Sequence, residues 1–129
     1  MGEVGGSEFR LLLIDDDHHV EALAVALAHF NIAVDARTSW DEQVLATTGM
    51  REPHVLLTGV LMADSHGVDL AAAVRVAWPD IGVVFMAGAV EAPLFERLPP
   101  DGVVVRRPFT TRELLDALRT AAPAISLDL

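Results

Sequence analysis

Apolar and polar residues recur at two different periods along this chain, and the switches between them divide it into five successive strand-then-helix units. Phe9 to Ile14 (FRLLLI) is a short apolar run, predicted as a strand, that runs into three carboxylates, Asp15, Asp16 and Asp17. Val20, Leu23, Ala24 and Leu27 then follow at helical spacing, with Phe30 near the end and Asn31 at the stop. Asp17 is the expected N-cap of this helix, and Glu21 lies near its positive end. Ile32 to Ala36 alternates as a second strand. Ser39, with Glu42 in capping-box spacing, predicts a helix from Trp40 to Met50. Val55 to Thr58 reads as a third strand, covered on both faces and closed by Gly59. A loop from Val60 to His66 leads to a helix over Val68 to Ala77, which Trp78-Pro79 ends. Gly82 to Met86 is the fourth strand and Val103 to Val105 the fifth. Between them, residues 91–98 carry only weak helical signal among Pro93, Pro99 and Pro100, so the fourth helix is expected to be short or irregular. Thr110 or Thr111 caps a last helix with Leu114, Leu115 and Leu118 inward, and Pro123 ends it.

Five such units with short connections predict an α/β fold, a doubly wound parallel sheet with helices on both faces. One domain is expected over residues 9–121, with a Gly-rich, frayed segment at 1–8 and a tail or linker start at 122–129. In open sheets of this kind the chemistry sits at the carboxyl ends of the strands. At the end of the third strand stands Gly59, which has no side chain to offer.

Composition narrows the function classes. The 129 residues are 52% hydrophobic, enough for a full core, yet no apolar run approaches the roughly 18 residues that span a membrane. The opening MGEVGGSEF lacks the charged and apolar regions of a signal peptide, and Gly6 breaks the myristoylation pattern. A cytoplasmic setting is the expectation. Cysteine is absent, which excludes disulfides and thiolate chemistry. The net charge is −10 and all nine basic residues are Arg, so direct nucleic-acid binding is not expected.

Three motifs, in this order and spacing, give the chain a resemblance to the receiver domain of two-component response regulators. LLLIDDD resembles the family's first strand with its acidic pair, here Asp15 and Asp16. PHVLLTGVLMADSHGVDL is similar to the third strand, loop and helix start, without a gap. RRPF, Arg106 to Phe109, resembles the Lys-Pro-Phe after the fifth strand. The resemblance covers residues 9–121 and implies a flavodoxin-like (βα)5 fold with strand order 2-1-3-4-5. It also implies phosphoryl transfer from a histidine kinase to an aspartate, assisted by Mg²⁺ on carboxylates and a backbone carbonyl.

Carried over position by position, most of that site is missing. Gly59 stands at the phosphoacceptor, Ala87 at the hydroxyl, Arg107 at the lysine, Val104 at the aromatic switch, and Ala63 at the loop proline. Asp15 and Asp16 survive, and the carbonyl ligand would be that of Leu61. Without a side-chain oxygen, Gly59 cannot form an acyl phosphate. Asp64, five residues along, is the nearest downstream carboxylate and the alternative acceptor, displaced from the strand end by several ångströms where catalysis tolerates little misplacement. Adjacent carboxylates repel unless something compensates them. The favoured compensation is Arg107, reaching into the space that Gly59 leaves and binding carboxylate through two parallel hydrogen bonds. The alternative is weak Mg²⁺ on Asp15 and Asp16; no cofactor is required.

His18, His19, His54 and His66 fit no zinc spacing and read as surface or loop residues. Trp40 and Trp78 read as packing residues. With the resemblance, the expected reading is a degenerate receiver domain, a pseudo-receiver acting as a phosphorylation-independent protein-interaction module and not an enzyme. Its expected partner is a signalling protein, a histidine kinase or an output domain, and a homodimer is left open. Two other readings are a phosphoacceptor using Asp64, and a small-ligand-binding α/β domain using a vacated pocket beside Gly59.

Overall fold

The structure, a computed structural model, describes residues 9–15, 20–38, 52–60, 66–88 and 97–125. Along the chain these form strand β1 (Phe9–Ile14), helix α1 (Val20–Ala28), β2 (Ile32–Arg37), β3 (Val55–Gly59), α2 (Gly67–Ala77), β4 (Gly82–Ala87), β5 (Val103–Arg106) and α3 (Thr111–Ala121). All five strands are parallel, in the order β2-β1-β3-β4-β5, which is the flavodoxin-like arrangement. The expected helix over Trp40 to Met50 and most of the weak helix over 91–98 lie outside the described residues, as do Asp16, Asp17, His18, His19, Leu61, Ala63 and Asp64.

Successive strand residues point to opposite faces, and both faces are buried here. Leu11, Leu13, Val55, Leu57, Val84 and Met86 join one core with Val20 and Leu27 of α1 and Leu114 and Leu118 of α3. Their alternates Leu12, Ile14, Leu56, Val83 and Phe85 join a second core with Leu70, Ala71 and Val74 of α2. Trp78 packs against the second core. Gly67 opens α2 with its amide donating to the Val60 carbonyl at 2.8 Å. A Cβ at Gly67 would overlap the Gly59 carbonyl oxygen, so glycine is what lets α2 start directly over the end of β3.

The helix ends follow their local chemistry. Asn31 takes φ 60° between α1 and β2, a left-handed conformation that asparagine tolerates. Thr110 caps α3: its hydroxyl accepts from the Glu113 amide at 3.0 Å, while the Glu113 carboxylate accepts from the Thr110 amide at 2.9 Å. Arg75 of α2 grips the turn before β5, donating to both carboxylate oxygens of Asp101 at 2.7 and 3.0 Å and to the Ile81 carbonyl.

His54 is part of the scaffold at the amino end of the sheet. Its Nδ1 accepts from the Arg10 amide at 2.8 Å, its own amide donates to the Arg10 carbonyl at 2.9 Å, and its ring meets Phe9 edge-on. Burial, followed by the nearby Arg10 charge, lowers its pKa below 6.5, against an opposing pull from Glu52. The unfolded chain therefore takes up a proton at this residue before the folded chain does. Stability from His54 is complete above pH 6.5 and is lost as pH falls below it toward the folded pKa. His54→Leu should remove that slope from the melting profile between neutral and mildly acidic pH. A variant profile as steep as the parent's would assign the slope to other groups.

Candidate functional site

Strand register brings the sequence-predicted residues to one edge. Ile14 pairs with Thr58, Gly59 with Met86, and Ala87 with Arg106, so Asp15, Gly59, Ala87 and Arg107 all fall at the carboxyl ends of adjacent strands. Three backbone bonds carry the ladders one residue past the strands and fix these ends. The Asp15 amide donates to the Arg37 carbonyl, Val60 to Met86, and Arg107 to Ala87. The Ile14–Thr58 pairing, continued by one residue, makes Asp15 the lateral neighbour of Gly59.

The Asp15 carboxylate is turned inward, over Gly59. A Cβ built on Gly59 would lie 2.8 Å from Asp15 Oδ1 and 3.3 Å from its Cγ. Asp15 is only 3% exposed. Arg107 donates from Nη2 to Asp15 Oδ2 at 2.8 Å, with 36% of the arginine side chain and 5% of the aspartate side chain exposed. This differs from the expected arrangement in two ways. The space over Gly59 is filled by the carboxylate and not by the guanidinium. Among the described residues the pair makes one hydrogen bond rather than two in parallel. The physical reason is reach: Asp15 is next to Gly59 across the ladder, and its short side chain enters the gap directly, leaving Arg107 to approach from outside.

Ala87 is fully buried in the second core, so a methyl group stands at the hydroxyl position. Val104 packs partly against the same core. The Arg107-Pro108 peptide is cis.

A cleft of about 660 Å³ opens beside the ion pair, lined by Asp15, Val20, Ala22, Leu23, Met86, Arg107, Pro108 and Phe109. Gly59 is not among its walls. The cleft lies between α1 and the loop after β5, while the Asp15 carboxylate occupies the space over the glycine. Sequence reading did not associate these apolar residues with a site. Val20 and Leu23 carry a helical core signature, and nothing in that period separates a residue that packs from one that lines an opening.

Among the described residues no group of three His, Asp or Glu side chains could hold a metal ion. His66 is exposed at the N-cap of α2 and makes no capping hydrogen bond. Among the described residues no helix is long and apolar enough to cross a membrane.

No protein-family model matches the chain. No curated protein matches it either. Solved structures do. A response regulator receiver protein from Sinorhizobium medicae superposes with a TM-score of 0.79 at 19% identity, over 93% of this chain and 98% of that one. The signal receiver domain of an HD domain-containing protein from Pseudomonas fluorescens gives 0.77 at 20% identity, over 96% and 93%. A response regulator receiver domain protein from Clostridium thermocellum gives 0.73 at 20% identity, over 90% and 95%. The likeness is one of fold: this chain has the architecture of receiver domains along nearly its whole length.

Proposed function

We propose that this chain is a degenerate receiver domain of two-component signalling, a pseudo-receiver that works through protein contact and not by accepting a phosphoryl group. The receiver fold supports the class. One observation carries the finer reading: at the strand end where a phosphoacceptor carboxylate would project, there is Gly59, and the space is filled by the buried Asp15 carboxylate held by Arg107. In-line attack on phosphorus needs an exposed nucleophile at the strand end. Gly59 offers none, Asp15 is buried and paired with Arg107, and Ala87 supplies no hydroxyl to read a phosphate. The partner is a signalling protein, a histidine kinase or an output domain, met in the cytoplasm by surface contact, with homodimerisation a further mode of the same kind. No catalytic role is assigned.

Incubation with acetyl phosphate and Mg²⁺ is expected to leave the intact mass unchanged. A phosphoryl adduct, whether on Asp15 or on any other aspartate including Asp64, would overturn the proposal.

A further inference from the structure

We infer that the cleft between α1 and the loop after β5 binds a small organic monocarboxylate, with Arg107 taking its head group and the apolar walls taking its body. The cleft, at about 660 Å³, falls within the usual range for small-molecule sites. Its chemistry is divided in the way such sites are. Among the described residues that line it, Val20, Leu23, Met86, Pro108 and Phe109 are apolar, and Asp15 and Arg107 are the charged side chains.

The two charged groups are not equivalent toward a ligand. Asp15 is buried with its carboxylate directed over Gly59. Arg107 is more than a third exposed and has spent one N–H, from Nη2, on Asp15. Its Nε and Nη1 make no hydrogen bond among the described residues. A guanidinium holds its donors in a rigid fork and can bridge two carboxylates, one on each edge. Asp15 orients the fork by holding one edge, which leaves the other for an acceptor inside the cleft. That remaining edge matches a single carboxylate. A nucleotide or polyphosphate needs several cations, and the described residues of this cleft supply one, in a chain of net charge −10 that repels polyanions at long range. Among the described lining residues the carboxylate a ligand cation could meet, that of Asp15, is already paired with Arg107 and directed over Gly59.

The inference does not depend on whether the domain accepts phosphate. Its test uses octanoate as probe, with octan-1-ol and octylammonium as controls of equal length, followed by calorimetry and thermal shift on the whole chain. Octanoate is expected to bind saturably with a dissociation constant of about 1 mM or tighter, and at least about tenfold more tightly than either control. Leu23→Trp, which fills the cleft without touching the ion pair, is expected to abolish octanoate binding while the protein remains folded. Arg107→Met is expected to remove the preference for octanoate over octan-1-ol and to leave weak, unselective apolar binding. Absence of saturable octanoate binding would overturn the inference. So would equal affinity for octan-1-ol, or octanoate affinity unchanged in Leu23→Trp.

Discussion

Arg107→Met is expected to lower the unfolding free energy by about 1–3 kcal/mol, because it takes a charged donor away from a carboxylate that stays buried. The two ends of the pair differ in environment: the Asp15 side chain is 5% exposed and that of Arg107 is 36% exposed. Arg107 therefore recovers hydration readily when the pair breaks, whereas the carboxylate cannot. For that reason the lower part of the range applies if water reaches the carboxylate in the variant, and the upper part if it does not. Asp15→Asn in the Arg107→Met background should recover part of the loss, since a neutral amide needs no cation. Urea midpoints for the four proteins of this cycle measure the coupling. An Arg107→Met protein within about 0.5 kcal/mol of the parent would reduce the contact to an ordinary surface pair. The same midpoints should not move with millimolar Mg²⁺, since Asp15 is engaged by Arg107 and Gly59 offers no ligand. A marked rise would mean an ion that binds the folded state.

Much of the fold can be read from the sequence because strands buried on both faces appear as unbroken apolar runs. FRLLLI matches β1 residue for residue, and VLLT and GVVFM each fall one residue short of β3 and β4. The shortfall has one cause. Backbone pairing continues through Gly59, Ala87, Arg106 and Arg37, and a hydrogen-bond ladder is indifferent to whether the side chain is apolar. The sequence leaves Thr110 and Thr111 both open as the cap of α3, and the structure assigns Thr110, whose reciprocal partner is Glu113 three residues on. The site is less legible. Sequence points to Asp15, Gly59 and Arg107 as residues of interest, but which group fills the gap over the glycine depends on a one-residue register between β1 and β3 and on the rotamer of Asp15. Neither is encoded in a local pattern. His54 shows the same limit from the other side. It reads as a loop histidine, and its role appears only when the β1 backbone of Arg10 is seen to donate to its ring from 44 positions away.

Gly59→Ala tests that gap directly. The added Cβ would stand 2.8 Å from Asp15 Oδ1, closer than carbon and oxygen pack, so the carboxylate must rotate out and the Arg107 hydrogen bond must break or stretch. Against this, replacing glycine narrows the unfolded ensemble by about 0.4–1 kcal/mol in favour of the variant. Overpacking and loss of the pair outweigh that gain, and a net destabilisation of about 1–3 kcal/mol is expected. The cost should come from Asp15. In an Asp15→Ala background the same Gly59→Ala change is expected to be close to neutral, because nothing then occupies the space. An equal cost in both backgrounds would place the clash elsewhere and refute the inward carboxylate. Gly59→Asp is expected to be worse than Gly59→Ala at neutral pH, since it adds a second carboxylate beside the first. Repulsion raises the folded pKa of the pair, so the folded chain binds a proton that the unfolded chain does not. The excess destabilisation of Gly59→Asp over Gly59→Ala should therefore shrink as pH falls toward the ordinary carboxylate range. A penalty that grew on acidification would mean that the new side chain had found a cation and not a carboxylate.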